Sequence, residues 1–267
     1  MDETNVLLVA AGVFLIATLY STVGHGGGSG YLAVLAIAAI APEQMRPTAL
    51  LLNIFVASLA TWKFGVTSTF RKQLFVPLIL SSTPAAFIGG SIELPGVIYK
   101  PTVGVALIYA AFRLFISISR HEPTKEPKRT AVIVTGICIG FFSGLIGVGG
   151  GIFLSPLILL LGWTTAKQTA AITAPFILIN SIAGLAGIAA TEQFGGGLPV
   201  DFSFVAPLVI AVLVGGFVGA SIGSKKLGHQ GLRVTLGLVL LVASLKMFLT
   251  INVQANEPQP DAVKSTS

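Results

Sequence analysis

Ten apolar stretches, near 5–23, 30–41, 47–64, 74–91, 99–118, 131–146, 151–162, 168–190, 203–223 and 232–250, fill most of this 267-residue chain. A hydrocarbon core about 30 Å thick takes about 20 helical residues to cross, and most of the stretches approach that length. Only 10% of the residues are charged, against roughly 25% in a soluble domain, whose surface must face water. A water-soluble globule is therefore excluded. Disorder is excluded too, because 54% of the residues are hydrophobic. Cys138 is the only cysteine, which rules out an internal disulfide framework. The expectation is an all-α polytopic membrane protein, since helices satisfy their own backbone polar groups where water is absent. Asp2 and Glu3 give the N-terminus the wrong charge for a secretory signal, so 5–23 reads as a retained membrane segment.

The charges orient this framework. Arg71, Lys72, Arg120, Lys125, Lys128, Arg129, Lys167, Lys225, Lys226 and Arg233 fall in loops on one side of the segment pattern. The other side collects Asp2, Glu3, Glu43, Glu93, Glu192, Asp201, Glu257 and Asp261. Lys and Arg excess marks the cytoplasmic face. Both termini are thus expected outside and the linker 119–130 inside. The net charge of +6 belongs to membrane-proximal loops, and no nucleic-acid partner is implied.

Two halves flank that linker and resemble each other. Tyr20 to Gly28 (YSTVGHGGG) aligns with Ser143 to Gly151 (SGLIGVGGG). Thr48-Ala49 matches Thr169-Ala170, and Phe87-Ile88-Gly89-Gly90-Ser91-Ile92 matches Phe217-Val218-Gly219-Ala220-Ser221-Ile222. Arg113-Leu114-Phe115 matches Lys246-Met247-Phe248. On the charge-derived topology the first half, 1–118, starts outside and ends inside, and the second, 131–250, does the reverse. The expectation is two inverted-topology repeats, each with a glycine-broken re-entrant helix pair plus three transmembrane helices, followed by a disordered external tail, 251–267. Inverted repeats characterise secondary transporters, whose ligand sits at the repeat interface near the midplane.

The glycine clusters locate the candidate site. Each glycine costs nearly 1 kcal/mol relative to alanine inside a helix, so the runs at 24–30 and 147–151 are expected to break it. Broken backbone at membrane depth is tolerated where it lines a cavity or is buried in protein. The short apolar helices that restart at 30–41 and 151–162 offer free N–H groups and the positive end of a dipole. Two such ends, converging, make an anion site. The candidate binding residues are Ser21, Thr22, Gly26, Gly27, Gly28, Ser29 and Asn53 from the first half. Ser143, Gly149, Gly150, Gly151 and Asn180 come from the second, with Ser155 as a further donor to the anion and Gln168 and Ser181 as other polar groups at depth. His25, the one histidine inside an apolar segment, is the proton-coupling candidate. A neutral histidine bonded to a backbone carbonyl is the alternative. Gly89-Gly90 and Gly219-Ala220 read as helix-packing surfaces, and Arg46 reads as a solvated charge at an external turn beside the first re-entrant element, with attraction of anions at the entrance as the alternative. No metal or cofactor is expected.

At these residues the chain resembles the sulfite exporter TauE/SafE family of membrane permeases. The likeness rests on Gly147 to Gly162 (GVGGGIFLSPLILLLG), with its weaker echo at Gly24 to Leu32 (GHGGGSGYL), and extends over about 5–250. It implies transport, usually export, of sulfur-containing anions such as sulfite and organosulfonates. A cytoplasmic-membrane location and proton-linked or gradient-driven flux are implied with it. The first motif departs from the second in carrying His25, Ser29 and Tyr31. One repeat rocking against the other would give alternating access.

Two other functions compete. A cation (Na⁺ or H⁺) carrier or channel could use the same broken helices through their carbonyls, although no Asp or Glu is embedded in the apolar segments. An intramembrane serine protease is suggested by Gly27-Gly28-Ser29-Gly30, but a serine nucleophile needs a base within reach, and Ile152 stands where the second half would need the serine. No GxxxxGK[ST] occurs to drive a nucleotide pump. Oligomeric state is left open by the sequence.

Overall fold

The computed structural model describes residues 3–22, 26–64, 70–115, 126–191, 198, 200–223 and 240–249. His25, most of the basic linker and the tail 251–267 lie outside the described residues. The described chain is helical: α1 (Glu3–Thr22), α2 (Gly28–Ile37), α3 (Pro42–Phe64), α4 (Lys72–Ser91), α5 (Gly96–Phe115), α6 (Arg129–Ile146), α7 (Gly151–Leu160), α8 (Ala166–Ala189) and α9 (Phe202–Gly223), then α10 (Leu240–Leu249).

Five of these, α1, α4, α6, α8 and α9, are long and apolar enough to cross a membrane. α3 has the length, at 23 residues, but carries Glu43 and Arg46 in its first turns. α2 and α7 have ten residues each, about 15 Å at 1.5 Å per residue, or half a hydrocarbon core. The broken elements therefore pair one full-length helix with one half-length helix. α8 starts on a capping box, with Thr165 accepting from Gln168 N and Gln168 taking the Thr165 N–H. Gln168, a candidate polar group at depth, is instead part of a helix cap.

Helices pack across the two halves. α4 lies along α6, α1 lies along α9, and α3 and α8 meet between them. The contacts are reciprocal. A Cβ added at Gly89 of α4 would stand 2.2 Å from the Phe141 carbonyl oxygen of α6, and one at Gly219 of α9 would stand 2.1 Å from the Thr18 carbonyl oxygen of α1. Thr18 and Phe141 are the positions that the alignment of Tyr20 with Ser143 pairs. A Cβ added at Gly90 would likewise stand 2.3 Å from the Gly184 carbonyl oxygen of α8. Small residues at these sites let backbones approach, which is how helices associate without a hydrophobic driving force.

Burial divides into two cores that do not follow the halves. One gathers Val13 of α1, Leu32 of α2, Leu52 of α3, Leu107 of α5, Leu208 of α9 and Ala243 of α10. The other gathers Leu78 of α4, Ile139 of α6, Leu154 of α7 and Phe176 of α8. At one end of the molecule Arg71 donates to the Trp163 carbonyl at 2.6 Å and pairs with Glu126 at 2.6 Å. The start of α4, the end of the linker and the turn after α7 thus share a face, as the charge pattern requires.

Candidate transport site at the glycine breaks

The second break is the more sharply defined. α6 closes on Gly147, whose N–H reaches Ser143 O at 2.9 Å. Gly147, Gly149 and Gly150 all have positive φ, at 89°, 77° and 79°, a conformation that costs glycine little and other residues much. α7 then begins, with Phe153 N and Leu154 N both bonded to Gly150 O. Among the described residues the amides of Gly149 to Ile152 have no acceptor. Successive free amides over left-handed residues form an anion-binding concavity.

The first break rejoins helix at Gly27, whose carbonyl accepts from Tyr31 N at 2.8 Å. The Tyr31 ring lies over Gly27, where an added Cβ would fall 2.5 Å from Cζ. Ser29 Oγ and Tyr20 Oη are 2.9 Å apart and buried.

The two breaks touch. A Cβ on Gly28 would lie 2.3 Å from Val148 O and 2.6 Å from Asn53 Nδ2. Asn53 Nδ2 donates to Val148 O at 3.1 Å, and Ile177 of α8 packs against Gly26, Gly149 and Gly151 together. Ser181 Oγ would be 2.8 Å from a Cβ on Gly149, and Ser143 Cβ 3.3 Å from one on Gly150. Ser143 Oγ, Ser181 Oγ and Asn53 Oδ1 are fully buried without a hydrogen-bond partner, as are Tyr31 Oη and Asn180 Oδ1. An orphaned buried polar group costs about 1–3 kcal/mol, so a gathering of them at one spot calls for a ligand or water.

The sequence candidates thus divide. Gly26, Gly27, Gly28, Asn53, Ser143, Gly149, Gly150 and Gly151 come together, whereas Ser29 turns its hydroxyl to Tyr20 of α1. Ser21 Oγ faces α9, 3.6 Å from a Cβ on Gly216. Asn180 Nδ2 bonds Phe176 O of its own helix, and Ser155 bonds Thr173 at 3.0 Å. The Thr22 side chain and His25 lie outside the described residues. Tyr31 and Ser181 join the site although they were not among its candidates; the departure of Tyr31 from the second motif, and Ser181 beside Asn180, were the available signals.

Arg46 requires a correction. It is not a solvated turn charge: it is 7% exposed and bonded through its guanidinium to four backbone carbonyls. Nε donates to Gly144 O at 3.0 Å, Nη1 to Ile92 O at 2.8 Å, and Nη2 to Gly89 O at 2.8 Å and to Gly90 O. Turn geometry in the sequence did not foretell that two helix C-termini would arrive beside it.

Membrane-length helices interrupted by two apposed half-length helices, with donors exposed at the breaks, define a polytopic membrane transporter. The model of the family described as sulfite exporter TauE/SafE matches residues 8–247. A probable membrane transporter protein of Sinorhizobium fredii, y4hK, is 38% identical over 250 residues, covering 92% of this chain and 99% of that one. The probable membrane transporter protein YjnA of Bacillus subtilis is 24% identical over 266 residues, covering 91% and 99%. The chain belongs to the sulfite exporter TauE/SafE family.

Proposed function

We propose that this protein is a secondary transporter that carries a small sulfur-containing anion, such as sulfite or an organosulfonate, out across the cytoplasmic membrane. The observation that carries the reading is the meeting of the two breaks, where free amides at 149–152 adjoin the unmet buried hydroxyls of Ser143 and Ser181. A sulfur oxyanion has several acceptor oxygens and would take up those donors together. Hydrogen bonds to a charged group are worth about 1.5–3 kcal/mol each. The family's description supports the sulfur class and the outward direction.

Reciprocal packing of α4 on α6 and α1 on α9 supports two inverted repeats. The basic loops joined through Arg71 support a cytoplasmic face at that end, with both termini on the other. Alternating access is read here as motion between the two hydrophobic cores, because each core mixes helices from both halves. His25 is the candidate for proton coupling; His25→Ala flattens the pH profile of flux if it holds that proton, and an unchanged profile removes it.

Flux in proteoliposomes of the purified protein tests the whole reading, with sulfite, sulfoacetate, sulfate, thiosulfate and acetate offered with and without a pH gradient. Saturable movement of one sulfur anion is the expected result. A second reading, cation carriage, has Asn53 Oδ1 and Asn180 Oδ1 in its favour, two buried oxygens without donors. Na⁺ flux with no anion flux would select it.

A further inference from the structure

The backbone entering the second break is held by side chains from the other half of the protein. Arg46 of α3 takes Gly144 O at 3.0 Å, Tyr99 of α5 takes Ile146 O at 3.0 Å, and Asn53 of α3 takes Val148 O at 3.1 Å. Three alternate carbonyls are therefore fastened to α3 and α5, while the amides that follow, at 149–152, are left without acceptors among the described residues. All three side chains are buried: Asn53 is 0% exposed, Tyr99 2% and Arg46 7%.

Arg46 differs from the other two in carrying charge. Its remaining bonds go to Gly89, Gly90 and Ile92 at the end of α4, so one guanidinium serves the carbonyl ends of two helices. Those ends are the negative poles of their dipoles, and each carbonyl would otherwise lack a partner at low dielectric. The stem of Arg46 also packs on the break itself: a Cβ at Gly147 would lie 3.0 Å from Arg46 Cγ and 3.2 Å from its Cα. An arginine does not lose its proton in such surroundings. The charge directly behind the break is consequently permanent.

We propose that Arg46 is a positioning residue of the transport site, which fixes the second break through the Gly144 carbonyl and sets a fixed positive charge behind its free amides without touching the ligand. The inference rests on the reading of that break as an anion site. It deepens that reading by adding a source of charge that the hydroxyls and amides lack.

Two substitutions separate the bracing from the charge. Arg46→Lys keeps the charge and loses the planar fork, whereas Arg46→Gln loses the charge and keeps two amide donors. Hydrogen exchange in detergent micelles should show faster exchange in both variants at Gly147, Phe153 and Leu154, whose amides are bonded to Ser143 O and Gly150 O. Flux in proteoliposomes should show the KM for sulfite raised tenfold or more in Arg46→Gln and less than threefold in Arg46→Lys. Equal KM values in the two variants would overturn the charge role, and unchanged exchange in both would overturn the bracing role. Should Arg46→Gln fail to reach the membrane, exchange in Arg46→Lys decides the bracing: faster exchange at Gly147, Phe153 and Leu154 upholds it, and unchanged exchange overturns it. If the unsubstituted protein moves no anion, the anion reading fails by itself, while the exchange result still decides whether Arg46 holds the break.

Discussion

The two glycine breaks look alike in sequence and stand in different surroundings. The first sits within one core: Tyr20, Tyr31 and Leu32 around it all belong to the cluster built on α1, α2, α5 and α9. The second straddles both. Ile146 and Val148 belong to that same cluster, whereas Leu154 and Ile158 of α7 belong to the cluster of α4, α6 and α8. Its backbone is tied by carbonyls to α3 and α5 and is otherwise left with open amides. The first break carries a hydroxyl pair, Tyr20 with Ser29, beside the unmet Tyr31 Oη. One break is therefore set in the wall of a single body, and the other is a joint between two. Sequence symmetry does not extend to the chemistry of the site.

The largest effect should come where the breaks meet. Gly28→Ala puts a Cβ 2.3 Å from Val148 O, a backbone atom that cannot swing aside. Flux is expected to fall at least about a hundredfold, with the protein still in the membrane fraction; since each 1.4 kcal/mol is a factor of ten, that is roughly 3 kcal/mol. Normal flux would mean that the apposition has no part in transport.

Next comes the donor asymmetry. The double variant Ser143→Ala, Ser181→Ala removes two unmet hydroxyls beside the second break, and KM for the anion should rise about 100-fold or more from two lost charge-assisted bonds of about 1.5–3 kcal/mol each. A KM that stays within a factor of two would strip the second break of its special role.

Tyr20→Phe probes the wall. It leaves Ser29 Oγ without its 2.9 Å partner, a loss of about 1 kcal/mol. In a domain of 150–250 residues that corresponds to a fall of about 2–4 °C in thermal midpoint. A KM change larger than that of the serine pair would reverse the comparison between the breaks.

The smallest effect is expected from a link inside one body. A Cβ at Gly216 of α9 meets nothing closer than Val56 Cγ2 of α3, at 3.3 Å. The pair Val56→Cys, Gly216→Cys, in a Cys138→Ser background, can close a disulfide that joins the two sequence halves within the first core. Oxidation should leave flux within a factor of two. Loss of flux restored by reductant would show that the halves, not the cores, move against each other.

Much of this molecule was legible beforehand, for a physical reason that particular segments make plain. The stretches read at 74–91, 131–146 and 151–162 appear as Lys72–Ser91, Arg129–Ile146 and Gly151–Leu160. In hydrocarbon the backbone has no alternative to helix, so apolar length translates directly into element length. The packing role of Gly89, Gly90 and Gly219 was legible because only glycine lets two backbones come so close.

Arg46 was not legible. Its burial depends on the ends of α4 and α6 reaching it from far along the chain, and a solvated arginine looks the same in a string of letters. Nor could the sequence assign Tyr31 and Ser181 to the site, or Ser21 to the face of α9, because azimuth around a wholly apolar helix leaves no period in its composition. The sequence by itself determined that the chain spans a bilayer as helices, where those helices break, and which glycines let them touch. Only the tertiary structure decided which half supplies the carbonyl partners of each break and how the cores divide. Those outcomes depend on neighbours brought together by packing, and local hydrophobicity carries no record of them.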